Sequence, residues 1–169
     1  MRIVGAHAKW LKLFHVLFSS LWVGGAISLV LMGFLLGAST GAELYGISMA
    51  KKFVDDFIVI PGAFGCLITG VLYSTGTDWG WFKHRWITVK WIINAYGVVF
   101  GTIWLGPWLN SLPDIAHANG IAALGDPVYV NNASMLNLWG TFQATTIVAA
   151  LMISVLRPWQ KDKRNRHTA

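Results

Sequence analysis

Two ionisable side chains stand inside otherwise apolar sequence, and they are the natural starting point for any chemistry. His15 lies in the run WLKLFHVLFSSLW, and Lys90 lies in RWITVKWIINAYG. An ionisable group at membrane depth is expensive to bury and marks a functional site by default. Helical spacing places Lys12, Ser19, Trp22 and Ala26 on the His15 face. It places Asn94, Gly97 and Gly101 on the Lys90 face. Each polar residue thus shares a face with small or aromatic residues, which suits a flat macrocycle held between helices. Neutral imidazole is a strong axial ligand for haem iron. The expected assignments are His15 as metal ligand, Trp22 and Asn94 as cofactor contacts, and Lys90 as the catalytic cation. Arg85, Lys83 and Lys90 are placed to pair with propionates at one edge of the pigment.

The second axial ligand stays open. His84, just before the Lys90 run, is the candidate at the same level. His7 is two turns shallower than His15, His117 falls on the opposite side, and His167 sits in a charged tail. Plainer roles stand beside these: His15 as an interhelical hydrogen-bonder, Lys90 as an anchor snorkelling to headgroups. Asp55 and Asp56 read as caps at the outer interface; Gln143, Thr145 and Thr146 read as a polar path or as cross-helix hydrogen-bonders. The lone Cys66 excludes an intramolecular disulfide, and no CxxC, CxxCH or HExxH occurs. Cysteine-held clusters, structural zinc and covalently attached haem are thereby excluded.

The elements that must position these residues follow from composition. Of 169 residues, 55% are hydrophobic and only 12% are charged. A soluble domain carries about 25% charged residues, so too little charge is present to cover a water-facing surface. Four apolar runs, at about 10–36, 53–73, 86–109 and 136–156, reach the roughly 20 residues a bilayer crossing needs. The first is too long for a signal-peptide core and reads as a retained helix. The predicted fold is all-α, an integral membrane four-helix bundle forming a single domain over 1–169, with 157–169 a basic cytoplasmic tail.

The net charge of +6 has a topological meaning rather than a nucleic-acid one. Arg2, Lys9 and Lys12 precede the first run, Lys83, Arg85 and Lys90 surround the second loop, and five basic residues follow the fourth run. The third loop, 107–135, has no Lys or Arg, and Lys51 and Lys52 are balanced by Asp55 and Asp56. Both termini are therefore expected in the cytoplasm, with the chain in a bacterial inner membrane. Trp10, Trp79, Trp81, Trp86, Trp91 and Trp159 would belt the inner interface, and Trp104, Trp108 and Trp139 the outer one. Short outer interfacial helices are expected at 42–52, either separate from or continuous with the second run, and at 113–124. The second would be opened by Ser111, Pro113 and Asp114 and stopped by Gly125 and Pro127.

Lipid supplies no hydrophobic drive for helix association, so small residues must allow close approach. Gly33/Gly37, Gly97/Gly101 and the Gly62–Cys66–Gly70 ladder supply such faces. They would serve a compact antiparallel bundle, or equally a homo-oligomer.

The segments WLKLFHVLFSSLWVGGAISLVLM and GWFKHRWITVKWIINAYGVVFGTIWLGPW resemble a family of small bacterial integral membrane proteins of unknown function. More distantly they resemble the HemJ-type protoporphyrinogen oxidases, CopD-type copper-resistance proteins and other membrane b-type haem proteins. The likeness covers under half of the chain, and the stretch 31–41 lacks a further histidine of the HemJ pattern. The resemblance implies haem b bound through His15 and a porphyrin or electron-transfer role near Lys90. The expected function is electron transfer or redox chemistry with a hydrophobic partner, a quinone or porphyrin. An enzyme of this kind would be a haem-dependent oxidoreductase. The alternative is a cofactor-free membrane accessory protein or small-solute transporter, with Lys90, Asn94 and Gln143 as its polar path.

Overall fold

The computed structural model describes residues 5–77, 80–82 and 84–156. Lys83, Trp79, Arg2, Trp159, His167 and the basic tail, to which the topology argument assigns roles, lie outside the described residues. Among the described residues the chain is all-helical and has four long apolar helical stretches, each a candidate membrane crossing. The first is α1 (Ala6–Leu35). The second joins α2 (Gly41–Val54) to α3 (Ile60–Gly76) through a π-helical turn at Asp55–Val59. The third joins α4 (Arg85–Phe100) to α5 (Gly106–Asn119) through a second π-turn at Gly101–Leu105, and ends in a 3₁₀ turn, Gly120–Gly125. The fourth is α6 (Pro127–Leu156). Each crossing is long and apolar enough to span a bilayer.

Both π-turns have the same local cause. Each ends two residues before a proline, Val59 before Pro61 and Leu105 before Pro107. A helical proline donates no hydrogen bond and its ring crowds the carbonyl four residues back. The helix yields by one residue: Ile60 N–H reaches Asp55 O, and Gly106 N–H reaches Gly101 O. Such widened turns recur at functional sites.

The 42–52 helix is present and, of the two arrangements expected, is the one continuous with the second crossing. The 113–124 helix does not start at Pro113. Helical bonding already runs from Gly106, and Pro113 sits inside α5. Ser111 Oγ bonds back to Trp108 O (2.8 Å) instead of capping a new start. The helix stops at Gly120, whose φ of +57° suits a residue without Cβ. The fourth crossing begins at Pro127, nine residues before the expected 136. Asp126 Oδ1 accepts from Val128 N (2.8 Å) and Tyr129 N (3.1 Å), so Asp126-Pro127 is a start signal, not a stop. At the other connection, Thr40 and Glu43 form a full capping box for α2.

The crossings alternate in direction. α1 packs against α3 and α6, and α6 also packs against α4, whereas α3 and α4 barely meet and the backbones of α1 and α4 stay apart. The small-residue ladder lies at the α1–α3 seam. Gly62 faces the backbone of Trp22 so closely that an added Cβ would lie 2.7 Å from its nitrogen. Cys66 Sγ meets Ser19 Oγ at 3.2 Å, and Gly70 lies beside His15. α2 packs on α5 at the end remote from the N-terminus, burying Leu44, Leu112, Ala116, Ala123 and Tyr129. The opposite faces carry exposed apolar side chains, such as Phe57, Phe64, Ile68 and Leu72 along the second crossing and Leu13, Leu17 and Leu21 on α1. Rows of this kind suit acyl chains and would aggregate in water.

Candidate functional site

The gap between the α1–α3 pair and the α4–α6 pair is divided by one side chain. Trp22 is buried, its indole lies against Gly97 of α4, and it lines cavities on both sides. The cavity toward the N-terminus measures about 680 Å³, within the usual range of 300–1,000 Å³ for small-molecule sites. His15, Trp22, Lys90 and Asn94 all line it. Four residues picked out on two helices therefore share one chamber. His84 and Arg85 do not line it. His84 occupies the N-cap position of α4, with its ring 6.3 Å from that of Trp86, and Arg85 is exposed.

The hydrogen bonds around His15 fix its protonation. Thr69 has one hydroxyl proton, directed at Gly65 O (2.6 Å) and Cys66 O (3.1 Å). Its oxygen therefore accepts from His15 Nδ1, 2.8 Å away. The imidazole then carries its proton on Nδ1, and its lone pair is on Nε2. Metal-ligating histidines are held in this way, the outer nitrogen donating to a fixed acceptor. Tyr73 meets the imidazole edge to face, with centroids 5.6 Å apart, which further restricts the ring.

Lys90 enters from the opposite wall. Its Nζ donates to Ser154 Oγ at 2.8 Å and lies 5.9 Å from the Trp86 ring centre, a cation–π distance. Asn94 Nδ2 bonds to Lys90 O (2.8 Å), and Trp91 Nε1 reaches Ser74 Oγ (3.3 Å). Lys12 supplies a second cation at the wall. Trp86 and Trp91, expected in the interfacial belt, instead line the chamber, Trp86 buried and Trp91 stacked on Trp81 at 4.8 Å. Lys90 needs a cover for its stem and ammonium, and the indoles provide it.

Among the described residues no three His, Cys, Asp or Glu side chains gather into a metal-binding cluster. The chamber instead combines one imidazole lone pair, ammonium groups and aromatic walls. Such parts are of the kind that would hold a ring cofactor carrying its own metal and carboxylates. Thr69, Ser154 and Tyr73 were not picked out from sequence. Thr69 and Tyr73 had a signal there, since both fall on the Gly62–Cys66–Gly70 face of their helix.

The second cavity, about 380 Å³, lies on the other side of Trp22, and both π-turns contribute to its wall through Asp55, Val59, Gly101 and Leu105. Asp55 and Asp56 therefore do not act as interfacial caps, because helical bonding runs through them. Asp55 faces the cavity, and Asp56 pairs with Lys52 (2.8 Å), which also donates to Asn110 Oδ1 (2.6 Å). Gln143 bridges helices, its Nε2 donating to Gly97 O (3.1 Å), while Thr145 and Thr146 bond within their own helix. His117 lines neither chamber, and its ring lies 5.2 Å from that of Tyr45. No family model, no curated protein and no solved structure matches this chain.

Proposed function

We propose that the chain is a membrane b-type haem protein that performs electron transfer or redox chemistry with a hydrophobic partner, a quinone or a porphyrin. The observation that carries the reading is the His15 imidazole, held by Thr69 with its Nε2 lone pair left for a ligand in an aromatic chamber. His15 would hold the iron. Lys90 and Lys12 would pair with propionates, and Trp22, Trp86 and Trp91 would exclude water. Bound haem would supply one-electron chemistry, its potential set by the axial imidazole and the low-dielectric walls. His84 does not line the chamber, so this reading rests on His15 as the residue that would hold the iron. Lys90 is the residue proposed to act on a carboxylate-bearing substrate.

The proposed orientation has both termini in the cytoplasm of a bacterium, for the charge asymmetry given above. α2 and α5 would then cap the outer mouth.

A second reading has its own support. Two chambers stacked about Trp22, one reaching Lys90 and Asn94 and the other Gln143, resemble the polar path of a small-solute transporter or accessory protein. An absorption spectrum of the purified chain, expressed with ample haem supply and recorded before and after dithionite, separates the two. The haem reading expects a reduced α band that is lost in His15→Ala. A colourless wild-type preparation overturns it and leaves the cofactor-free reading.

A further inference from the structure

The second crossing carries two sets of opposite charges at the same four-residue spacing, and they fare differently. Lys52 and Asp56 meet at 2.8 Å, and Lys52 also donates to Asn110 Oδ1 at 2.6 Å. Lys51 and Asp55, each one residue earlier, line the cavity beyond Trp22. Their side chains make no ion pair or hydrogen bond with each other or with any other described residue. Neither charged end is sealed away from a ligand. An ionic group among apolar walls without a partner is costly. Beyond these charges the wall turns apolar. Lys51, Asp55, Val59 and Ala63 line the cavity at four-residue intervals, and Ala63 packs beside Trp22. Leu29 of α1 and Leu136 of α6 extend the apolar part.

We infer that this cavity binds a small zwitterion with an apolar body, of the α-amino acid class. The ligand's carboxylate pairs with Lys51, its ammonium pairs with Asp55, and its side chain lies along Val59 and Ala63 toward Trp22. The flexible stem of Lys51 lets its ammonium follow the carboxylate. An anion alone would leave Asp55 unmatched, and a cation alone would leave Lys51 unmatched. At about 380 Å³ the cavity stands at the low end of the range for small-molecule sites, which favours a compact solute over a lipid. The site is separate from the His15 chamber and does not depend on iron being present there.

The test uses the full chain in detergent and equilibrium dialysis at neutral pH with labelled L-leucine and two analogues that each keep one charge. 4-Methylpentanoate lacks the ammonium, and 3-methylbutylamine lacks the carboxylate. Wild type is expected to bind leucine saturably and about tenfold more tightly than either analogue. Lys51→Met should weaken leucine and leave the amine unchanged. Asp55→Asn should weaken leucine without weakening the carboxylate analogue. Equal wild-type affinity for leucine and either analogue overturns the inference without recourse to any variant. So does an absence of saturable leucine binding, or leucine binding that either substitution leaves unchanged. Saturable binding of dihexanoyl phosphatidylethanolamine in place of leucine also overturns it and assigns the two charges to a lipid headgroup. The His15-dependent absorption band reports on the other chamber, so leucine binding to a colourless preparation would uphold this site while the haem reading failed.

Discussion

Thr69 decides what His15 can be. Without an acceptor at Nδ1 the imidazole could present either nitrogen to the chamber, and its ring would turn more freely. Thr69→Val removes that acceptor while keeping the shape. On the haem reading it should weaken haem binding about 10- to 100-fold, as losses of orienting partners at metal-bound histidines do. Thr69→Ser should restore most of it. Haem titration followed by absorbance measures both, and an unchanged affinity in Thr69→Val would remove the argument for a fixed tautomer. Lys90 is tested through charge. Zinc protoporphyrin carries two carboxylates that its dimethyl ester lacks, and a protein with cationic walls should favour the free acid. Lys90→Met should cut that preference several-fold, as read from porphyrin fluorescence. If free acid and ester bind alike in wild type, Lys90 has no role toward carboxylates.

At the scale of elements, the bundle depends on how closely α3 can approach α1. Gly62 has no room for a methyl group against the Trp22 backbone, whereas Gly46 in α2 has nothing within 4 Å of an added Cβ. Gly62→Ala should therefore destabilise the chain by about 1–3 kcal/mol through overpacking. Gly46→Ala should be neutral or slightly stabilising through helix propensity. Thermal unfolding in one detergent compares the two, and similar midpoints would show that the seam yields without cost. The ladder Gly62–Cys66–Gly70 was readable as a packing face from spacing alone. Its partner was not, because small residues at four-residue intervals fit any backbone that comes near. The π-turns were likewise hidden. Pro61 and Pro107 are visible in the sequence, but whether a proline kinks, ends or widens a helix depends on the neighbours that hold both sides in line.

At the scale of the whole molecule, Trp22 keeps two chambers apart. Trp22→Ala would open one into the other and remove a large buried side chain, for a loss of about 3–5 kcal/mol. The proposed orientation has its own check. Alkaline phosphatase fused after residue 169 should be inactive and a cytoplasmic reporter active there; the reverse result would invert the bundle and exchange the inner and outer chambers.

The four crossings, their apolar outer faces and the singling out of His15, Lys90, Trp22 and Asn94 all follow from the amino-acid sequence. Burial cost and helical period act locally and leave their mark residue by residue. The start of the last crossing at Asp126-Pro127 was written there too, and Pro127, read with Gly125 as a stop, gave the opposite boundary. Tertiary structure alone decided that Trp86 faces a chamber while Trp10 is exposed, that His84 stands off the wall, and that Thr69 holds the imidazole. These depend on which helices adjoin, and a sequence of uniformly apolar spans constrains that weakly: lipid and a neighbouring helix are nearly equivalent to leucine, and only a few small and polar residues tell them apart.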